Sequence, residues 1–246
     1  MSDHSAIQWT EATWNPWHGC HKISPGCAHC YMFSEKVRYG QEPNIVVRSK
    51  TTRYAPLKWG EPKMVFTCSW SDWFIEEADE WRGEAWEIIR RTPQHTYQIL
   101  TKRPRRALKH LPDDWPLPNV WLGVSVENQR WLERIDVLKD IPAAVRFVSF
   151  EPLLEDLGAV LLDGIRWAII GGESGSKARP FDVMWARSLI RQCREQRVPC
   201  FVKQLGSKPH IGDYADIVGL RDRKGGDMAE WPFDLRVREY PERLGA

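Results

Sequence analysis

Three cysteines in one short loop are the residues of this sequence best suited to carry chemistry. Cys20, Cys27 and Cys30 have the spacing C-x6-C-x2-C, and Gly19 and Pro25 give the loop turn-forming residues. Three thiolates can hold three irons of a 4Fe–4S cube and leave the fourth iron open. An open iron can chelate the amino and carboxylate groups of S-adenosylmethionine (SAM), and the cluster can then pass one electron to the sulfonium. The spacing therefore predicts an iron–sulfur site with these three cysteines as ligands.

Zinc is the main alternative for the same loop. Three cysteines and one histidine form a common structural zinc site, and His18, His21 and His29 lie in or beside the loop. The C-x2-C pair fits zinc as well as iron. Chance is disfavoured because core packing does not require so compact a run. The iron interpretation is favoured because the rest of the chain indicates an α/β barrel, which a zinc knuckle does not need.

Short apolar runs alternate with amphipathic stretches along the chain. The predicted strands are Thr13–Trp17, Met64–Ser69, Thr96–Thr101, Val120–Val126, Val145–Phe150, Arg166–Ile170 and Cys200–Lys203. Helical spacing connects Trp81, Ala85, Ile88 and Ile89, then Trp131, Ile135 and Leu138, and then Trp185, Leu189 and Cys193. Such alternation predicts βα units around a parallel sheet.

The number of units favours a partial or complete TIM-like (β/α) barrel of six to seven βα units. A Rossmann sheet is less well supported, because no GxGxxG follows the first strand. We expect residues 1–206 to form the barrel. Residues 207–246 are expected to be a C-terminal appendage that is not an independent domain.

Ionisable and polar groups stand at the predicted carboxyl end of each strand. Loops at that end carry the site in barrels, so the rim is a candidate site. The side chains expected on the substrate side are Glu151, Glu173 and Lys203. A buried charge needs compensation, so we expect Glu173 and Lys203 to pair with each other or with a substrate group.

Two stretches are rich in cations. Lys102–Lys109 holds five cations in eight residues, and Arg48–Lys63 holds five against one acid, with Tyr54 and Trp59 among them. Cations interleaved with aromatic rings suit a single-stranded or flipped nucleotide. A solvated basic surface is the equally open alternative. A nucleic acid is thus a candidate substrate.

Composition sets broader limits. The chain has 246 residues, of which 42% are hydrophobic, and a net charge of +2, which argues neither for nor against nucleic acid. No apolar run is long enough to span a membrane and no signal peptide is evident, so we expect a cytoplasmic protein without membrane partners. Disulfides are not expected there, and Cys68, Cys193 and Cys200 are predicted to be core residues.

The sequence resembles the phage-associated three-Cys-motif proteins, a family with a domain of unknown function that is placed near the radical SAM superfamily. The motifs that carry the resemblance are Thr13-Trp14-Asn15-Pro16, Gly19-Cys20, Ser24-Pro25-Gly26-Cys27, Cys30-Tyr31, Ser71-Asp72-Trp73-Phe74, Leu100-Thr101-Lys102-Arg103-Pro104, Ser149-Phe150-Glu151-Pro152, Gly171-Gly172-Glu173-Ser174-Gly175 and Val202-Lys203-Gln204. It covers about residues 9–206 and implies a radical SAM-like barrel with no assigned substrate. Six residues between the first two cysteines is a departure, since the superfamily usually has three.

The resemblance also implies contacts to SAM. The side chains expected to make them are His29, Ser69, Asp72, Lys102, Ser125 and Glu127. His29 precedes the last cysteine, where an aromatic residue often lies near the adenine. Ser69 and Asp72 end the second strand, where the amino-group ligand is expected, and Ser125 and Glu127 fall where ribose contacts arise. Lys102 or Arg103 would meet the carboxylate. Gly171-Gly172-Glu173 comes too late in the chain for the usual amino-group motif.

Together these observations predict a radical SAM enzyme that uses a 4Fe–4S cluster to cleave SAM and form a 5′-deoxyadenosyl radical. The substrate is unidentified, with a nucleic acid or nucleotide as the candidate class, and an electron-donor protein is an expected partner. The alternative is a zinc-stabilised nucleic-acid-binding protein without catalysis.

Overall fold

The computed structural model describes residues 4–212, 216–217 and 219–242. Its strands are β1 (Ala12–Trp14), β2 (Trp17–His18), β3 (Val47–Arg48), β4 (Met64–Thr67), β5 (Thr96–Thr101), β6 (Val120–Ser125), β7 (Val145–Phe150), β8 (Trp167–Gly171), β9 (Phe181–Asp182), β10 (Cys200–Gln204), β11 (Pro209–Ile211) and β12 (Asp216–Ile217). Its α-helices are α1 (Tyr31–Arg38), α2 (Asp79–Arg90), α3 (Pro104–Ala107), α4 (Glu133–Lys139) and α5 (Val183–Glu195).

The main sheet has seven strands in the order β1-β4-β5-β6-β7-β8-β10. The pairs β1–β4, β4–β5, β5–β6, β7–β8 and β8–β10 are parallel. All seven predicted strands are present, and Thr96–Thr101 and Val145–Phe150 have the predicted bounds. The order follows the chain and is compatible with a partial (β/α) barrel. In the described part of the chain, no helix is long and apolar enough to cross a membrane.

The other five predicted strands begin or end at different residues from the observed ones, and one strand end and one helix start have clear local causes. The strand that begins at Met64 ends at Thr67, because Cys68 adopts a positive φ of 53° that extended backbone does not allow. Trp131 has the expected spacing with Ile135, but it lies in a short 3₁₀ turn before α4.

The chain divides into two compact units, and the first comprises residues 1–124 and 140–144. A cluster of buried tryptophans forms part of its core. The Trp73 ring lies 5.8 Å from that of Trp14, 5.1 Å from that of Trp17 and 4.9 Å from that of Trp86, measured between centroids. Edge-to-face and tilted pairs of this kind add to the free energy of area burial. The high tryptophan content is therefore partly explained by the core of this unit.

The second unit comprises residues 125–139 and 145–246. Within it, α5 packs on β8 and β10 and buries an apolar face that includes Leu189, Ile190 and Cys193. Asp182, the residue before the helix, caps it: its carboxylate accepts a hydrogen bond from the Met184 amide at 2.9 Å. A separate small sheet has three strands in the order β12-β11-β9. The predicted division at residue 207 stays a prediction.

Candidate functional site

The first unit holds the cysteine loop, and its start is fixed by close backbone packing. Gly19 has a φ of +100°, and a Cβ there would lie 2.3 Å from the Ile45 carbonyl oxygen. Only glycine accommodates both constraints. The Cys20 amide donates to the Pro43 carbonyl at 3.0 Å, and the Ser71 hydroxyl donates to the Gly19 carbonyl at 2.6 Å. These bonds position Cys20 directly after β2.

The end of the loop is a 3₁₀ turn over Pro25–Cys27 that leads into α1. The Cys27 amide donates to the Ser24 carbonyl at 2.9 Å. Cys30 occupies the position just before α1. Burial raises the pKa of the Cys30 thiol, and the helix-start amides of Met32 and Phe33 act in the opposite direction.

Burial is the largest cause of the raised pKa of both the Cys20 and the Cys30 thiol. Cys27 raises the pKa of both Cys20 and Cys30, although burial is the larger cause in each case. Burial, followed by the charge of Asp72, raises the pKa of Cys20 to about 12. All three are free thiols. Cys20 and Cys30 must lose these protons before they can ligate a metal.

The residues fit an iron–sulfur cluster by donor chemistry. Three sulfurs come from one loop, and Arg103 and Lys102 place positive charge near Cys20 and Cys30 respectively. Their arrangement is not that of a finished metal site. Among the described residues, no group of three or more His, Cys, Asp or Glu side chains could hold a metal ion as placed.

Asp72 lies after β4, and its carboxylate binds the segment at the end of β5. Its carboxylate is buried and accepts four hydrogen bonds or ionic contacts. Oδ1 accepts from the Thr101 hydroxyl at 2.7 Å and the Phe74 amide at 2.9 Å. Oδ2 accepts from the Lys102 amide at 2.9 Å and lies 3.2 Å from Arg103 Nη1. Asp72 thus holds the segment after β5 in place; its predicted contact with SAM stays a prediction.

Arg103, which with Lys102 was expected to meet the SAM carboxylate, has protein partners of its own. Its guanidinium contacts Asp72 and donates to the His21 carbonyl at 3.3 Å. The signal in the sequence was one more cation in a basic run. Which cation faces the cysteine loop depends on the turn after β5, which the sequence pattern does not specify.

The histidines near the loop take different positions. His21 Nε2 pairs with Glu77 Oε1, and His29 is exposed. His18 Nδ1 is buried and has no hydrogen-bond partner, and burial lowers the pKa of this side chain.

Ser69, a predicted SAM contact, is bound to Asn15 in the structure: Asn15 Nδ2 donates to the Ser69 hydroxyl at 3.0 Å.

Part of the first basic stretch is neutralised by one carboxylate. Arg48 pairs with Glu84, Arg53 lies 3.8 Å from it, and the Tyr54 hydroxyl donates to it at 2.7 Å. The exposed cations Lys50 and Lys58 remain at the surface of this stretch.

The second basic stretch is divided in the same way. Arg103 faces Asp72, and Arg106 donates to the carboxylate of Asp79 at 2.9 and 2.7 Å. Arg105 and Lys109 are exposed. Arg106 in this stretch, like Arg48 in the first, is therefore occupied by a carboxylate.

In the second unit, Glu151 and Lys203 form an ion pair with 3.0 Å between Oε1 and Nζ. The Ser149 hydroxyl donates to the other carboxylate oxygen at 3.3 Å. Glu151 comes directly after β7 and Lys203 lies in β10, and β8 lies between these two strands in the sheet. Gly171 ends β8, and a Cβ there would lie 2.4 Å from Glu151 Oε1. The absence of a side chain at Gly171 lets the pair form.

Glu173 pairs with Arg179 rather than with Lys203. Arg179 Nη2 donates to Oε1 at 2.6 Å, and its Nε and amide both donate to Oε2 at 2.9 Å. Glu173 is buried, and this bidentate contact compensates its charge. Both charges are compensated as expected, but Glu173 pairs with Arg179 and Lys203 with Glu151, and not with each other.

Glu127 and Arg134 form a fully buried ion pair with 2.9 Å between Oε2 and Nη1. Arg134 Nη1 also donates to the Ser125 carbonyl at 2.7 Å. Ser125 is itself buried at the end of β6. The predicted ribose contacts of Ser125 and Glu127 stay predictions.

Comparison with curated proteins and with solved structures gave no match. A family model described as a protein of unknown function, DUF5131, matches residues 4–230. This match covers most of the chain and includes the cysteine loop and every strand of the main sheet. The chain therefore belongs to the DUF5131 family.

Proposed function

We propose that this protein is a radical SAM-like enzyme whose 4Fe–4S cluster is held by Cys20, Cys27 and Cys30. The observation that carries the proposal is that three free thiols lie in one loop, which is anchored by Gly19 at its start and leads into α1 at its end. The proposal includes the identification of DUF5131 with the phage-associated three-Cys-motif proteins that the sequence resembles.

When bound, the cluster would supply one electron for reductive cleavage of SAM to a 5′-deoxyadenosyl radical. The protein's own part is to present three deprotonated sulfurs and to compensate their charge. Arg103 and Lys102 supply positive charge beside Cys20 and Cys30. Such charges favour release of the thiol protons on metal binding.

We infer that the remaining candidate side chains divide between cofactor and substrate. The proposed SAM contacts are His29, Ser69, Asp72, Lys102, Ser125 and Glu127. The proposed substrate contacts are Glu151, Glu173 and Lys203, which would orient the substrate or move its protons. The exposed cations of the two basic stretches support a nucleic acid or nucleotide as substrate. A separate protein would donate the electron.

Anaerobic reconstitution with iron and sulfide tests the assignment. The wild type should bind close to four irons per chain, turn brown and release 5′-deoxyadenosine from SAM in the presence of a reductant. Replacing Cys20, Cys27 or Cys30 singly with Ala should abolish iron binding. Cys193→Ala and Cys68→Ala are the matched controls, because both thiols are buried outside the loop.

The same experiment distinguishes the iron–sulfur enzyme from the alternative zinc protein. A colourless protein that retains one zinc per chain after purification, and loses it in the same three loop variants, would favour the zinc-stabilised nucleic-acid-binding protein. Equal iron retention in all five variants would contradict the ligand assignment itself.

A further inference from the structure

A shallow cleft in the first unit lies between α2 and the antiparallel ribbon of β2 and β3. Arg48 ends the ribbon and Arg53 follows it, and both side chains line the cleft opposite Trp81 and Glu84 of α2. Trp81 and Glu84 are three residues apart, so they are neighbours on one face of the helix. The cleft therefore brings two guanidinium groups, one carboxylate and one indole ring together.

Three side chains bind or approach the Glu84 carboxylate. Arg48 Nη2 donates to Oε2, and the Tyr54 hydroxyl donates to Oε1 at 2.7 Å. Arg53 Nε lies 3.8 Å from Oε2, and within the described part of the chain it is buried without a hydrogen-bond partner. Two positive charges thus face one negative charge, and one guanidinium donor is left unsatisfied.

This set of donors suits a terminal phosphate better than a carboxylate. A phosphate monoester carries roughly two negative charges at pH 7 and three terminal oxygens. The Glu84 carboxylate offers one charge and two oxygens. Arginine forks bind phosphate through paired N–H···O bonds. A phosphate in place of the carboxylate would match both guanidinium charges and supply an acceptor for the Arg53 donor.

Glu84 can be displaced from its position in the cleft. Its side chain and that of Arg48 are each 36% exposed. An ion pair at such a surface contributes little to stability, because water solvates both partners. A glutamate side chain on the helix surface can rotate outward into water. Its carboxylate therefore occupies an anion position without closing it permanently.

Trp81 offers a surface for a nucleotide base. Its ring is half-buried and lines the same cleft. The Arg53 guanidinium lies over the Tyr54 ring, 4.7 Å from its centroid, so one face of that ring is already covered. Stacking on an aromatic ring binds a base without reading its identity. An indole beside an anion position suits a ligand that has both a base and a phosphate.

We propose that this cleft binds a nucleotide with a terminal phosphate, and that Glu84 occupies the phosphate position until the nucleotide displaces it. Arg48, Arg53 and Tyr54 bind the phosphate, and the base stacks on Trp81. The source is a free mononucleotide or the phosphorylated end of a single strand. This inference rests on the proposed function only in its class of ligand, and it requires neither a cluster nor SAM.

Calorimetry on the full-length protein, without reconstitution, tests the proposal. The probes are adenosine 5′-monophosphate (AMP), inorganic phosphate, and a short oligodeoxythymidylate with and without a 5′-phosphate. The variants are Glu84→Gln, Arg48→Gln and Trp81→Leu. The matched controls are Glu80→Gln and Arg91→Gln, which make the same charge changes at exposed residues in α2 and directly after it. Circular dichroism checks that each variant is folded.

Glu84→Gln should bind AMP about 5-fold more tightly than wild type, because it removes the charge that competes with the phosphate. Arg48→Gln should bind AMP about 10-fold more weakly, since it loses a charged hydrogen bond. Trp81→Leu should weaken AMP about 10-fold and leave inorganic phosphate unchanged. Both controls should match wild type. Glu84→Gln carries the test if Arg48→Gln does not fold.

The two oligonucleotides identify the source. A gain in Glu84→Gln for the phosphorylated strand, and none for the strand without phosphate, supports a strand end as ligand. The same gain for AMP alone supports a free mononucleotide.

Three results would overturn the proposal. One is an equal gain in Glu84→Gln and Glu80→Gln, which would show a general charge effect. Another is weaker binding in Glu84→Gln, which would make its carboxylate a ligand contact or a structural group. The third is wild type that binds neither AMP nor the phosphorylated strand. None of these results affects the iron–sulfur assignment, and protein that takes up no iron would leave the nucleotide cleft standing.

Discussion

The ammonium of Lys203 meets the carboxylate of Glu151 at 3.0 Å, and that carboxylate occupies the space where a side chain on Gly171 would begin. The pair spans the end of β8, which lies between β7 and β10 in the sheet order. Three motifs that are far apart in the sequence, Phe-Glu-Pro, Gly-Gly-Glu and Lys-Gln, thus contribute to one arrangement. Gly171 is required there for space, since it lies outside the positive-φ glycines.

Alanine at the two adjacent glycines should therefore have unequal effects. At Gly171 a Cβ would meet the end of the flexible Glu151 side chain, which can move away at the cost of the Lys203 contact. At Gly172 it would lie 2.4 Å from the Leu205 carbonyl oxygen, which is backbone. Overpacking typically costs about 1–3 kcal/mol. We expect about 1 kcal/mol for Gly171→Ala and about 3 kcal/mol for Gly172→Ala in urea unfolding. Equal losses, or the reverse order, would contradict this reading of the glycines.

Acid stability should depend on Asp79 in the first unit. Burial raises the pKa of Asp79, but hydrogen bonds from Arg106 and Arg82 outweigh it and hold the pKa below the ordinary value. A carboxyl whose pKa is lower in the folded state stabilises above its unfolded pKa of about 3.9 and loses that contribution as the pH falls. Wild type should therefore lose more stability than Asp79→Asn between about pH 5 and pH 3.

Urea midpoints measured across that pH range check the Asp79 prediction. The control is Asp113→Asn, which changes an exposed carboxyl of the same unit. Its acid dependence should follow that of wild type. Parallel curves for wild type and Asp79→Asn would show that the ion pairs of Asp79 contribute nothing to acid stability.

The sequence predicted the order and direction of the strands because each strand carries its own signal. Apolar runs with a proline on each side mark β5 and β7 at their observed ends. The sequence contains no such signal for which charged side chains pair with each other. Asp72 and Thr101 are 29 residues apart, and their contact depends on strand register and on side-chain rotamers. Alternation therefore predicts which loops meet, but it does not predict which charges within them pair.

The exposed cations of the second basic stretch should determine any binding of single-stranded nucleic acid. Arg105 and Lys109 are exposed, whereas Arg106 is bound to Asp79. Arg105→Glu with Lys109→Glu should weaken binding and lower the salt slope by about 0.7 per lost phosphate contact. Fluorescence anisotropy with a labelled oligonucleotide over a salt series measures this slope. Arg191→Glu, an exposed charge reversal on α5, is the control and should leave the slope unchanged. Binding that does not respond to salt, or no binding at low salt, would favour a solvated basic surface.

The last prediction separates a structural role from a cofactor role for Glu127. Its carboxylate is fully buried and lies 2.9 Å from Arg134 Nη1, whose side chain is also buried. Removing one member of such a pair leaves an uncompensated charge in the core, which typically costs about 3–5 kcal/mol. Glu127→Ala should therefore lower the free energy of unfolding by about that amount, and Glu127→Ala with Arg134→Met should recover a large part of it. Urea unfolding measures the loss of stability in both variants. Calorimetry with SAM on the reconstituted variants measures their affinity for SAM. If Glu127→Ala keeps wild-type stability but weakens SAM binding, the carboxylate contacts the ribose and the ion pair is secondary.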